Sequence, residues 1–380
     1  MGAEDNKYRG KNLDDWWDEQ GIVRSAGHAV MLAPMARQLS WGILGTGNIA
    51  RQFCAGVAAS ERARIVAVGS RAGDTAEQFA AANGIPRWHG SYEALLADGT
   101  IEAVYVSLPN AMHHEWTIKA LRAGKHVLCE KPIATTAAES EEMFDVAAQM
   151  GRVLIEAFMY RAHPLTHEVL AVLASGEIGP LRLIRTSFCY RTSKISGNIR
   201  FDPSLAGGAL MDVGSYCINF ARHCAGCEPA EVSAAAIKHV SGVDELTVGT
   251  MRFPTGVLST FTCGMGVQAD NTAYVCGTDG YIEVPVPWKP PAAGARLSIV
   301  QAVPPRQDAG VAASRVAGSG PRRMIEVNAG KDVYALEADD FAASIFDGKP
   351  PMVSRDETVG NMRALDEMRR QMSESSNRNS

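Results

Sequence analysis

The stretch that most constrains this chain is Ile43-Leu44-Gly45-Thr46-Gly47-Asn48-Ile49-Ala50. A short apolar run, 41–44, stops at two glycines, and a helix-compatible segment begins at once. Strand, tight turn and helix in the form G-x-G-x-x-A open a dinucleotide-binding unit. Gly45 permits the turn, and Gly47 lets the backbone approach a pyrophosphate with no Cβ in the way. Ala50 is small enough for the helix to sit close on its strand. The helix start at Thr46, Asn48 and Ile49 offers N–H groups and the positive end of its dipole to the phosphates. Alone the pattern is weak, because glycines after a strand are common turn punctuation.

The chain from there to about residue 160 agrees with it. Strands are expected at 40–44, 65–70, 103–107, 126–129 and 152–157, with helices at 49–59, 74–83, 92–97, 114–123 and 137–150 between them. Alternation at this pitch predicts a parallel sheet covered on both faces, joined by right-handed crossovers. Gly84, Gly124 and Gly151 each follow a helix where a left-handed cap is wanted. At the end of the second strand, a cofactor with a free ribose 2′-hydroxyl usually meets Asp or Glu. This chain has Ser70-Arg71 there and no acid until Asp74. Arg71 can pair with a 2′-phosphate and stack on adenine, and Ser70 can donate to it, which favours NADP(H) over NAD(H).

With 380 residues the chain exceeds one ordinary core, so two domains are expected: 39–160 for the dinucleotide and 161–373 for substrate and assembly. A net charge of −5 offers no footprint for nucleic acid. The apolar runs are too short for a membrane span. Eight scattered cysteines suggest reduced thiols in a cytoplasm. Cys224 and Cys227 form a lone C-x-x-C, read as a helix-end packing pair rather than a zinc site. Residues 1–38 form an arm unlike the rest, expected to be poorly ordered, with no secretory signal. It is either an appendage, with Met31 or Met35 as the start, or a wrap around a neighbouring subunit. Residues 374–380 read as a polar tail.

After Arg161 strand-like alternation dominates, at 181–190, 231–239, 245–253, 256–263 and 272–284. These runs predict a mainly antiparallel sheet, with helices at 165–175 and 212–224. The Pro- and Gly-rich stretch 285–323 reads as a long loop with one or two edge strands, and helices at 333–346 and 355–373 close the chain.

Three segments carry polar groups suited to chemistry. Glu130-Lys131-Pro132 ends a strand of the parallel sheet, where ligands bind, so Lys131 is expected in the cleft, able to bond a substrate hydroxyl and join in proton transfer. The Lys131–Pro132 bond is a candidate for cis. In Gly207-Gly208-Ala209-Leu210-Met211-Asp212-Val213-Gly214-Ser215-Tyr216, the acid and the phenol are one helical turn apart and expected on one face. In Ser107-Leu108-Pro109-Asn110-Ala111-Met112-His113, Asn110 and His113 stand where a nicotinamide ribose or carboxamide is laid, while His114 reads as a surface helix-start residue. Each has a plain alternative: a charged turn, an acid favoured by a helix dipole, a Pro-Asn turn.

Taken in order, these motifs resemble the glucose-fructose oxidoreductase/inositol dehydrogenase family, Gfo/Idh/MocA, from about residue 40 to 284. The resemblance implies an α/β protein. Its N-terminal part is a Rossmann doubly wound parallel sheet, and its C-terminal part is an α/β domain with an open, mainly antiparallel sheet. The cofactor lies between them. Lys131 then contacts the reacting hydroxyl or carbonyl, Asp212 orients the substrate, and Tyr216 exchanges the proton. Many members carry histidine at that last place. Tyrosine resembles the branch of glucose-fructose oxidoreductase, NADP-linked D-xylose dehydrogenase and dimeric dihydrodiol dehydrogenase. By the same resemblance Tyr160 and Arg161 line the substrate site, and Arg200 and Tyr334 match further contact positions, alongside Gly45, Thr46, Gly47, Asn48, Ile49, Ser107, Pro109, Glu130 and Lys131 at the cofactor.

The function this implies is hydride transfer between NADP(H), or NAD(H), and a hydroxyl or carbonyl carbon of a sugar, polyol or vicinal diol, by a homodimer or homotetramer with no metal. A non-catalytic NADP(H) sensor and a redox-assisted sugar-modifying enzyme share the fold. Lys131, Asp212 and Tyr216, all intact, argue against the sensor, and Ser70-Arg71 argues against the NAD-linked redox-assisted enzyme.

Overall fold

A computed structural model describes residues 37–302 and 320–378, within a compact unit that begins at Arg37. The expectations for 1–36, for 303–319 of the long loop and for the last two residues lie outside the described residues.

The first half is a six-stranded sheet of β1 (Leu39–Leu44), β2 (Ala63–Gly69), β3 (Trp88–His89), β4 (Ala103–Val106), β5 (His126–Glu130) and β6 (Leu154–Ala157). The strand order is β3-β2-β1-β4-β5-β6, and every pairing is parallel. Between them run α1 (Asn48–Val57), α2 (Gly73–Asn83), α3 (Tyr92–Leu96), α4 (His113–Arg122) and α5 (Ala137–Met150). Every residue of β1 and β4 is buried, as a sheet covered on both faces requires. Strand order reverses between β1 and β4, which opens a crevice at their carboxyl ends.

The second half begins with α6 (Pro164–Ser175) and builds an eight-stranded sheet. Its strands are β7 (Leu181–Cys189), β8 (Glu231–Lys238), β9 (Asp244–Arg252), β10 (Leu258–Gly264), β11 (Ala273–Gly277), β12 (Gly280–Val284), β13 (Ala295–Gln301) and β14 (Arg322–Val327). The order is β14-β13-β12-β11-β7-β10-β9-β8, antiparallel except for the pair β7–β10. Helices α7 (Ser215–Ala225), α8 (Val333–Phe346) and α9 (Arg355–Arg378) complete it.

Helix α8 returns to the first sheet. Phe341 packs its ring 4.8 Å from that of Trp41, and Tyr334 meets Phe53 of α1 at 6.2 Å. Gly56 makes this approach possible, since a Cβ there would lie 2.7 Å from that of Tyr334. The two halves are therefore tied by a shared aromatic core as well as by their covalent link.

Several expectations need correction. The short strand β3 falls in a stretch with no alternating run long enough to reveal it. In the stretch 285–323, β13 is an interior strand between β12 and β14, and only β14 lies at the edge. Helix α9 runs to Arg378, past the residue at which a polar tail was expected to begin, because its exposed face is laced by pairs such as Arg370 with Glu367 and Glu374. The straight helix expected from residue 212 starts instead as a π-turn, Leu210–Gly214, before α7.

Candidate active site

The glycine turn has the expected form. Gly45 adopts φ +103°, a conformation that disfavours side chains, and its N–H donates to Gly69 O at 3.1 Å, tying β1 to β2. Gly47 precedes α1, a Cβ on it would meet nothing within 4 Å, and no side chain caps the helix. Open space over uncapped N–H groups at a helix start fits a dinucleotide pyrophosphate. Ser107 Oγ donates back to Leu44 O at 2.8 Å, holding the ends of β1 and β4 together beside that space.

Next to this turn a cleft of about 380 Å³ is lined by Gly47, Asn48 and Ile49 on one side and by Lys131, Asp212 and Tyr216 on the other. Lys131 and Asp212 come from different halves of the chain and are 11% and 12% exposed. The Lys131 ammonium donates to the Asp212 backbone O at 2.6 Å and to its Oδ1 at 3.4 Å, and sits 5.0 Å from the Tyr216 ring centroid. Asp212 Oδ2 accepts the Tyr190 hydroxyl at 2.6 Å and Arg200 Nε at 2.8 Å. Burial works to raise the Asp212 pKa, but Lys131, Arg200 and Tyr190 outweigh it, so the carboxyl sits below its ordinary value. Burial and the facing carboxylate hold Tyr190 neutral by pushing its pKa up.

The π-turn explains how Asp212 reaches this network. Leu210 N–H donates to Asp244 Oδ2 at 2.7 Å, and Gly208 takes φ +120°. At Gly214 a Cβ would fall 2.9 Å from Cys263 Sγ of β10, so only glycine lets the turn pass the sheet. The extra residue of a π-turn re-aims side chains, a device common at functional sites. Both Asp212 and Tyr216 line the cleft, yet their polar atoms diverge. The Tyr216 hydroxyl donates to the Met159 sulfur at 3.3 Å, and its ring packs among Phe158, Phe188 and Trp288. Burial and then the charge on Glu130 raise its pKa well above the ordinary phenol value.

The remaining expected residues fall in three places. Ser107, Asn110, His113, Glu130 and Arg200 line the cleft. Asn110 donates to Ala206 O at 2.9 Å, bridging to the loop that carries Arg200. His113 is buried, its ring nitrogens 2.8 Å from Pro132 O and 2.8 Å from Leu108 O, so it clamps the turn that presents Lys131. The Lys131–Pro132 bond is cis. Glu130 is buried, bonded by the Tyr105 hydroxyl and by Lys131 N–H, and burial raises its pKa. Ser70 and Arg71 lie at the end of β2 beside the glycine turn, Ser70 buried and Arg71 exposed, and Thr46 and Pro109 are half-buried in the turns that follow β1 and β4. Arg71 reaches the Tyr92 hydroxyl.

Tyr160, Arg161 and Tyr334 are brought elsewhere. The Tyr160 hydroxyl donates to Asn219 Oδ1 at 2.5 Å, and Arg161 bonds Glu357 at 2.7 Å and Met352 O at 2.9 Å. Tyr334, on α8, is buried against Phe53 of α1 with Lys289 over its ring at 5.0 Å. These three are core and ion-pair residues here: α7, α8 and α9 pack over Tyr160 and Arg161 in the segment after β6, and α8 carries Tyr334 inward against α1. Sequence reasoning missed Tyr190 and Phe188 at the end of β7, and Gln52 on α1. An aromatic pair closing a strand of the second sheet was the available signal, but only pairing with β10 and β11 aims it at Asp212. Cys224 and Cys227 flank Gly226, the left-handed cap of α7.

Comparison with known proteins accords with this architecture. Residues 39–158 match the model of the oxidoreductase family with an NAD-binding Rossmann fold, Gfo/Idh/MocA, and residues 166–283 match its C-terminal domain. The chain is 34% identical over 330 residues to a D-xylose 1-dehydrogenase (NADP(+)) of Haloferax volcanii, covering 86% of this chain and 95% of the relative. It is 37% identical over 255 residues to trans-1,2-dihydrobenzene-1,2-diol dehydrogenase of Mus musculus, covering 66% and 76%. Among solved structures, it resembles an aldose-aldose oxidoreductase of Caulobacter crescentus complexed with glycerol, with TM-score 0.77 and 26% identity over 89% of this chain and 98% of the other. A 3-ketoreductase of Actinomadura kijaniata, solved with NADP and TDP-benzene, gives TM-score 0.77 and 29% identity over 88% and 98%. With its glycine turn, its Lys131–Asp212 contact and relatives spanning nearly its whole described length, the chain belongs to the Gfo/Idh/MocA family of oxidoreductases.

Proposed function

We propose that this protein is an NADP-preferring oxidoreductase that moves a hydride between the nicotinamide and a hydroxyl or carbonyl carbon of a sugar, polyol or vicinal diol. The observation that carries this reading is Lys131, one-tenth exposed, held against Asp212 in a cleft that starts at the glycine turn. The bound cofactor supplies or accepts a hydride at its ring C4. Gly45, Gly47 and the start of α1 would hold its pyrophosphate, and Ser70 and Arg71 its 2′-phosphate. Asn110 and Arg200 would flank the nicotinamide end.

The chain's own groups handle the proton and the alignment. Lys131 donates to the reacting oxygen and stabilises negative charge there. Tyr216 rests as a neutral phenol, and its partner, a thioether, is a weak acceptor. A carbonyl oxygen gaining charge is a far better one, so on reduction Tyr216 gives its proton to that oxygen and is left as a phenolate stabilised by the Lys131 ammonium. Oxidation is the reverse step, in which the phenolate, formed by prior loss of the phenol proton to water, takes the alcohol's proton. Asp212, kept ionised by Lys131, Arg200 and Tyr190, accepts a neighbouring substrate hydroxyl and fixes which carbon faces the ring. The relatives' names, a D-xylose dehydrogenase and a dihydrodiol dehydrogenase, support a substrate with adjacent hydroxyls.

We also propose that the protein works in the cytoplasm as a homodimer or homotetramer. All eight cysteines are unpaired, which fits a reducing compartment. No helix among the described residues is long and apolar enough to cross a membrane. A concavity of about 570 Å³ on the strand face of the second sheet is lined by small residues such as Ser233, Ala234, Thr250 and Thr262. Nearby Val248 and Leu258 are 47% and 50% exposed, which suits contact with a second copy. This larger hollow holds no lysine–acid pair and lies off the parallel strand ends, so the chemistry is assigned to the cleft.

The test is direct. Purified protein is mixed with NADP+ and a panel of sugars and polyols, and absorbance of the reduced cofactor is followed. Turnover of at least one is expected. Tight NADP(H) binding with silence across a broad panel in both directions would overturn the enzyme reading in favour of a sensor.

A further inference from the structure

A second cavity, of about 330 Å³, abuts the cleft, and Asn198, Ile199 and Leu205 line both. Its remaining walls include Ile195, Phe201 and Pro203 of the same loop and His239 at the β8–β9 turn. The rings of Phe201 and His239 meet edge to face with centroids 4.8 Å apart. Ile195 and Ile199 are 41% and 43% exposed, large apolar side chains left in water on the wall of this cavity. A free sugar has no use for such a wall, since its hydroxyls need the donors and acceptors that Lys131, Asp212 and Tyr190 supply. Among the described residues no Lys or Arg lines this second cavity, and Asp202 brings a carboxylate to it, which disfavours a phosphate or nucleotide appendage.

We infer that the substrate carries an apolar, ring-sized group beyond its reacting polyol end, and that this group seats in the second cavity against Ile195, Ile199 and the Phe201–His239 pair. The inference rests on the sugar or polyol reading above and narrows it to polyols with an apolar aglycone or ring. Burying such a ring on apolar walls supplies affinity without demanding further hydrogen bonds. The shared wall fixes the geometry: the polar part binds at Lys131 on one side of Ile199, and the appended ring lies on the other.

The test uses the full-length protein saturated with NADP+. Methyl and 4-nitrophenyl glycosides of xylose, glucose and galactose form pairs that differ in the appended group alone. Each is titrated calorimetrically, and turnover of free sugars and polyols is assayed in parallel. In at least one pair the aryl member is expected to bind about tenfold or more tightly than its methyl partner. In the double variant Ile195→Ser with His239→Ser that preference should shrink to about twofold or less, with NADP+ affinity and turnover of the small polyols retained. Should the double variant fold poorly, Ile195→Ser alone, at an exposed position, is expected to lower the ratio in the same direction. Equal binding within every pair, alongside turnover of a small polyol, overturns the subsite while leaving the oxidoreductase reading intact. Absence of any polyol binding or turnover overturns that reading, and the subsite with it.

Discussion

The Tyr190 hydroxyl donates to Asp212 Oδ2 across 2.6 Å, joining the end of one strand to the π-turn that faces Lys131. Arg200 shares the same oxygen at 2.8 Å, so the carboxylate is fixed from two sides before any ligand arrives. Tyr190→Phe removes one of these holds and leaves the ring in place. Turnover is expected to fall about tenfold, consistent with loss of one hydrogen bond to a charged group, with NADP(H) affinity unchanged. Tyr190 lowers the Asp212 pKa, so its loss raises it, and the acidic limb of the rate profile should move to higher pH. Measuring kcat and KM against pH for both proteins checks this; an unmoved limb would show that Tyr190 does not act through Asp212.

Lys131→Ala should lower turnover by about 100- to 10,000-fold, the range for a group handling a proton at the reacting oxygen. NADP(H) affinity should stay nearly constant, because the glycine turn and Arg71 lie elsewhere. Steady-state kinetics together with fluorescence titration of the reduced cofactor separate the two effects. Wild-type turnover in this variant would remove Lys131 from the mechanism.

Arg71→Ala tests the cofactor preference. The exposed guanidinium at the end of β2 is expected to contribute about 1.5–3 kcal/mol to binding of a 2′-phosphate and little to a 2′-hydroxyl. Dissociation constants for NADP+ should therefore weaken about 10- to 100-fold while those for NAD+ change little. Equal losses for both cofactors would assign Arg71 to the adenine instead.

Glu156, fully buried at β6, gives a pH prediction that involves stability rather than rate. Burial pushes its carboxyl up to about 7, although Ile133 N–H bonds Oε1 at 3.0 Å. The folded state thus holds the proton over a range where the unfolded chain has lost it. Stability from this group is fully present below the ordinary Glu pKa near 4.5 and is lost as pH rises through about 7. The loss is on the order of 3 kcal/mol. Glu156→Gln keeps an acceptor for Ile133 and cannot ionise, so its urea midpoint should fall less than wild type between acidic and mildly alkaline pH. Parallel pH dependences for the two proteins would contradict this.

Local chemistry made the first half readable. A buried parallel strand must be apolar throughout, a turn at φ +103° favours glycine, and a lysine ending a strand of such a sheet is delivered to the crevice, so Gly45, Gly47, Lys131 and the parallel, doubly covered character of the first sheet are written in short segments, while the short β3 is not. Asp212 and Tyr216 were legible as residues but not as geometry, because the π-turn comes from Asp244 and the sulfur of Cys263, both distant in sequence. Tyr190 could be assigned only after β7 paired with β10 and β11 and aimed its end at the cleft. The fates of Tyr160, Arg161 and Tyr334 were decided the same way: Tyr160 meets Asn219 of α7, Arg161 is held by Glu357 of α9, and α8 carries Tyr334 against Phe53 of α1, and a side chain's solvent exposure belongs to the packing of remote elements, which no local pattern encodes.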